Sequence, residues 1–170
     1  MNKNIVLVGL SGSGKSTLGN ILSSLSGYAL VDTDAIIVKL QNRSINNIFE
    51  TNGEEFFRTL ETQVSKEISA FDKQIISTGG GIVLKEKNLE YLKQNGVVFY
   101  LKTSVNTLLK RLEGDNTRPL LKTDDVKKKL ENMLEIRGKL YEKADVTIET
   151  DKLTPEETAK EILRIYNERS

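Results

Sequence analysis

Three observations predict an α/β fold, a parallel sheet flanked by helices on both faces. Five short apolar runs are too brief for helices, amphipathic periodicities fill the intervals between them, and a glycine-rich turn joins the first run to the first helix. The runs are Ile5-Val6-Leu7-Val8, Ala29-Leu30-Val31, Gln74-Ile75-Ile76-Ser77, the stretch 97–101 and Val146-Thr147-Ile148-Glu149. After the first, Leu18, Ile21, Leu22 and Leu25 recur at helical spacing, and after the second a helix is expected to begin at Ala35. Phe57, Leu60, Val64 and Ile68 mark the next helix, Val105, Leu108, Leu109 and Leu112 another, and Val126, Leu130, Met133 and Leu134 a third. The last opens with Thr154-Pro155-Glu156-Glu157, an N-cap, a first-turn proline and a capping-box glutamate, and is expected to bury Ala159, Ile162, Leu163 and Tyr166. Ligands of such sheets lie outside the carboxyl ends of the strands, so the residues that follow each run carry the functional information.

The chain has 170 residues, enough for a single domain (1–170) that needs neither disulfides nor a structural metal. Lys and Arg number 25 against 24 Asp and Glu. That balance leaves no global field to draw nucleic acid or an anionic membrane, and neither partner is expected. No apolar run reaches membrane-spanning length, and the chain enters its first strand without a signal-peptide segment, so a cytoplasmic location is expected. No heptad or long apolar strand announces a protein partner, which makes a monomer the default. Cysteine and histidine are both absent. Their absence excludes Cys/His zinc sites and histidine-based triads, leaving Asp, Glu and Lys for proton transfer.

Residues 9–17 read GLSGSGKST and contain the G-x-x-x-x-G-K-[ST] spacing of a phosphate-binding P-loop at Gly9, Gly14, Lys15 and Ser16. The motif lies between a strand and a helix, the context its chemistry requires. Backbone amides contributed by Gly12, Ser13, Gly14 and Thr17 would turn inward around phosphate oxygens, and the helix N-terminus would add partial positive charge. Lys15 would reach the β- and γ-phosphates of ATP, and the Ser16 hydroxyl would ligate Mg²⁺.

Strand three ends Ile76-Ser77-Thr78 without the carboxylate that usually supports the metal beside a P-loop, which makes Asp32 the candidate. If the chain stays extended, Asp34 projects to the same side two residues on and serves as a general base. Otherwise it merely caps the helix at Ala35. The glycines at 79–81 either present backbone to a ligand or make a plain loop. Arg58, with Glu61 three residues on, reads alone as an ordinary surface ion pair, and Arg137 as one charge among many on a polar helix. The breaker-rich stretch 114–123 is either a mobile surface loop or a lid that excludes water and delivers Arg118 to the developing charge.

Taken in order, GLSGSGKST at 9–17, DTD at 32–34, GEEFFRTLE at 53–61, STGGG at 77–81, RPLL at 118–121 and Arg137 followed by LYEKAD at 140–145 resemble the shikimate kinase family over essentially the whole chain. The resemblance implies a nucleoside-monophosphate-kinase-like P-loop fold and transfer of the ATP γ-phosphoryl group to the 3-hydroxyl of shikimate. It also implies Ser16 and, through water, Asp32 at Mg²⁺, with Lys15 on the transferring group. Asp34 would hold the acceptor hydroxyls and take the proton, while Arg58 and Arg137 would pair with the shikimate carboxylate. Gly79, Gly80 and Gly81 would contact the ring, Arg118 would be the lid arginine, and Arg111 would lie against adenine. Glu61 would orient Arg58. Contacts to the base near 151–155 are not assigned. Gluconate and nucleoside-monophosphate kinases share the P-loop and lid logic, but neither accounts for STGGG together with Arg58 and Arg137. A catalytically silent relative should lack Lys15, Asp34 or Arg118, and all three are present.

Overall fold

The computed structural model describes residues 3–113 and 123–170. Of the expected loop 114–123, only Thr123 is among them, as the first residue of a helix, and Arg118 lies outside the described residues. The strands are β1 (Asn4–Val8), β2 (Ala29–Asp32), β3 (Gln74–Ser77), β4 (Gly96–Lys102) and β5 (Val146–Glu149). They form one sheet in the order β2-β3-β1-β4-β5, every neighbouring pair parallel. The helices are α1 (Lys15–Ser26), α2 (Thr33–Gln41), α3 (Ile45–Asn52), α4 (Glu54–Ile68), α5 (Glu86–Gln94), α6 (Val105–Glu113), α7 (Thr123–Tyr141) and α8 (Pro155–Arg169).

The central strand β1 is apolar on both faces because both are covered, as parallel sheets require. Its side chains alternate between two cores. Ile5 and Leu7 join Ile75, Val97 and Phe99 beneath Leu18 and Leu22 of α1 and Ala159, Ile162 and Tyr166 of α8. Val6 and Val8 join Ile76, Val98 and Tyr100 beneath residues of α2, α4, α5 and α7, among them Ile37, Phe57, Leu92 and Tyr141. The loop after β1 thus runs to one face and the loop after β3 to the other, and a crevice opens between them at the carboxyl ends of the strands.

Local signals account for several boundaries. The α8 capping box is present in full: Thr154 N–H donates to Glu157 Oε2 at 2.8 Å and Glu157 N–H to Thr154 Oγ1 at 3.1 Å, with Pro155 in the first turn. Periodicity overreaches at two positions. Leu25 is 55% exposed and Met133 39% exposed, because spacing identifies the face a residue occupies but not whether a neighbour covers that part of the face.

Candidate active site

The chain leaves β1 at Val8, rounds the P-loop and enters α1 at Lys15. Gly14 occupies the cap position and supplies no side-chain cap to the first-turn amides, which stand at the positive end of the helix dipole. Lys15 is buried, and its ammonium donates to the carbonyls of Gly9 at 2.6 Å and Leu10 at 2.9 Å. Burial pulls its pKa down to about 8, against the opposing pull of Asp34 and Asp32. Ser16 and Thr17 are exposed, while the buried Ser13 hydroxyl has no partner among the described residues. A cleft of about 430 Å³ runs from residues 11–18 past Asp32, Asp34 and 77–80, and on to Arg111, Thr150, Leu153, Pro155 and Thr158. The Arg111 guanidinium donates to the Gly12 carbonyl at 3.0 Å and borders the same cleft. Thr150, Leu153 and Pro155 supply walls in the region where no base contacts were assigned from sequence.

The Asp32-Thr33-Asp34 segment is not extended. Asp32 is itself the helix cap: its Oδ1 accepts from Ala35 N–H at 2.9 Å, so Thr33 and Asp34 already lie in the first turn of α2. An aspartate at the end of a strand captures the free amides of a following helix more readily than it lets the strand continue. Asp34 nevertheless faces the cleft. Its Oδ1 is buried without a partner, and its pKa is raised, chiefly by burial and then by Asp32. Thr33, which sequence reasoning passed over, is fully buried, and its hydroxyl accepts from Gly79 N–H at 3.1 Å. It ties the end of β2 to the turn after β3.

That glycine turn packs against charged groups on both flanks. A Cβ on Gly79 would stand 2.6 Å from Asp34 Oδ1, and one on Gly81 would overlap the Arg58 guanidinium. Only glycine lets the backbone approach both so closely. Arg58 is not on the surface. It is 8% exposed, pairs with the fully buried Glu61 at 2.7 Å and with Glu54 at 3.1 Å, and lies over the Phe49 and Phe57 rings at 5.9 and 5.4 Å. Glu61 Oε1 has no partner among the described residues, and burial pushes its pKa upward against the pull of Arg58. From α7, Arg137 brings Nη1 to 3.6 Å from where a Cβ on Gly80 would sit. Gly80 also abuts the P-loop, its Cβ position 3.4 Å from Ser11 N.

Lys15, Asp32, Asp34, Arg111, Gly79 and Gly80 therefore line one crevice, and Arg58 and Arg137 pack against the glycine turn at Gly81 and Gly80. The arrangement offers cationic and amide donors to a polyanion on one side. On the other it offers two guanidinium groups, a carboxylate and bare backbone, the groups that suit a hydroxylated acid.

The shikimate kinase family model matches residues 11–167. The chain belongs to the shikimate kinase family. It is 42% identical over 164 residues to the shikimate kinase of Caldicellulosiruptor bescii, covering 96% of this chain and 95% of that one. With the shikimate kinase of Rippkaea orientalis it shares 47% identity over 161 residues, 94% of this chain and 86% of that one. Among solved structures, shikimate kinase from Acinetobacter baumannii in complex with shikimate superposes with a TM-score of 0.88 at 39% identity, covering 99% of this chain and 94% of that chain.

Proposed function

We propose that this chain is an ATP-dependent shikimate kinase that moves the γ-phosphoryl group to the 3-hydroxyl of shikimate, giving shikimate 3-phosphate for chorismate and aromatic amino-acid biosynthesis. The observation that carries the reading is the convergence of Asp34, Arg58 and Arg137 on the glycine turn, directly beside the P-loop. Arg58 and Arg137 hold the acceptor carboxylate, and the backbone of 79–81 meets its ring. Asp34 binds its hydroxyls and accepts the proton released as the oxygen attacks phosphorus. Its raised pKa fits a group that must receive that proton.

On the nucleotide side, residues 12–17 wrap the phosphates and Lys15 lies on the transferring group, whose negative charge it stabilises. Arg111 borders the adenine end. Arg118 is assigned from sequence to the same charge as Lys15. Because phosphoryl transfer is chiefly in-line placement and charge stabilisation, these cations account for more of the barrier than Asp34.

The donor set fits Mg²⁺. Ser16 offers a hydroxyl at the open helix start, and Asp32, with Oδ1 engaged at Ala35 N–H, suits contact through water. The ion, when bound, would neutralise phosphate charge. A monomer in the cytoplasm completes the proposal. Among the described residues, no helix is long and apolar enough to cross a membrane.

Incubating the protein with ATP and Mg²⁺ against shikimate, gluconate and AMP tests the reading. Shikimate alone should be phosphorylated. Phosphorylation of AMP alone would overturn the acceptor assignment.

A further inference from the structure

Tyr141, the last residue of α7, is completely buried at the edge of the polar cleft. A buried phenol needs a partner, and its hydroxyl donates to the Gly80 carbonyl. Its ring lies on that of Tyr100, with centroids 5.0 Å apart and planes at 20°. One turn earlier on the same helix, Arg137 brings Nη1 to 3.6 Å from where a Cβ on Gly80 would sit. One hydroxyl thus holds the glycine turn at the residue that an arginine of the acceptor site flanks. Phenylalanine would fill the same space and stack as well, so packing alone leaves the oxygen unexplained.

The glycine turn explains why an anchor is needed. With no side chains at 79–81, the central peptide has little of its own to fix its orientation. Holding the Gly80 carbonyl on Tyr141 turns the N–H of Gly81 to the opposite side of the same rigid peptide plane. We propose that Tyr141 is a positioning residue for the phosphoryl acceptor: its hydroxyl fixes the Gly80–Gly81 peptide where the Arg137 guanidinium flanks it. The turn and the cation then meet a hydroxylated carboxylate at a set spacing, and Tyr141 itself touches none of the reacting atoms. This inference rests on the acceptor site assigned above.

The test is Tyr141→Phe in the full chain, which removes one oxygen and keeps the ring. KM for shikimate should rise about tenfold, the size expected for a lost buried hydrogen bond, with kcat and KM for ATP within about twofold of wild type. The thermal midpoint should move by no more than about 3 °C. Combined with Arg137→Ala, the rise in KM should fall well short of the product of the two single effects, because both groups bear on Gly80. An unchanged shikimate KM in Tyr141→Phe would overturn the proposal. So would a parallel loss of kcat, both KM values and melting temperature, the mark of a merely structural tyrosine. A wild-type protein that does not phosphorylate shikimate would instead sink the functional reading beneath it.

Discussion

Lys15 carries its charge where burial opposes it. With a pKa near 8, it is an ammonium at neutral pH but loses its proton within reach of ordinary assays. The kcat/KM for ATP, which reports the free enzyme, should be level below about pH 8 and fall tenfold per unit above it. A profile flat to about pH 9.5 would show that another charge grips the nucleotide. Stability moves the other way. The unfolded lysine binds its proton more tightly, so the fold gains stability as pH rises from about 8 toward the ordinary lysine value of 10.5. Arg58 poses a related problem, since removing it strands Glu61 without solvent or partner. Arg58→Ala should raise the shikimate KM about 100-fold, leave the ATP KM alone, and cost about 3 kcal/mol of stability. In Arg58→Ala/Glu61→Ala the stability should partly return while the shikimate KM stays high. Chemical denaturation and steady-state kinetics on the two variants separate the effects, and an unchanged KM in the single variant would refute the assignment.

The glycine turn after β3 is a device at the level of the element, since its backbone is threaded between Asp34 and Arg58. In Gly81→Ala the added methyl meets a guanidinium that cannot swing aside, because Glu61, Glu54 and two phenyl rings already hold it. The shikimate KM should rise at least about tenfold, with about 1–2 kcal/mol lost from overpacking. Gly138→Ala is the control. It lies inside α7 with nothing within 4 Å of a new Cβ, and should be neutral or stabilising by up to about 1 kcal/mol. Melting curves beside kinetics would register both. Elements of this kind were unevenly legible in the sequence. The strands and α1 could be read because apolar runs and the P-loop spacing are local, and α8 because its cap is written into Thr154, Pro155 and Glu157. Helices α3 and α5, of 8 and 9 residues, have too few apolar positions for a periodicity to emerge. The cap at Asp32 was not legible because strand alternation through Asp34 and a cap at Asp34 compete over the same three residues, and the sequence does not show that Asp32 takes the cap. Thr33 and Tyr141 act on glycines 46 and 61 residues away, and no local pattern encodes a bond across such distances.

At the scale of the whole molecule, the crevice lies at the carboxyl ends of the strands of a sheet that carries a core on each face. A ligand seated there contacts loops leaving both faces, so binding should stabilise the fold as a unit. Shikimate at about 100 times its dissociation constant should add about 2.7 kcal/mol, roughly 5–10 °C in melting temperature at this chain length, and a nucleotide should add to it. Differential scanning calorimetry with shikimate, with nucleotide and with both would measure this. A midpoint indifferent to shikimate would contradict an acceptor site in the crevice.

The two faces also divide the labour. Helix α1, which carries Lys15 and Ser16, packs on one layer, whereas Asp34, Arg58, Arg137 and Tyr141 hang from α2, α4 and α7, which pack on the other together with Leu10 of the P-loop and α6. Substitutions in that second layer, away from Leu10 and α6, can therefore remodel what is phosphorylated while α1 keeps its own support. A new acceptor preference would be sought there, by redesigning one side of the sheet and leaving the other intact.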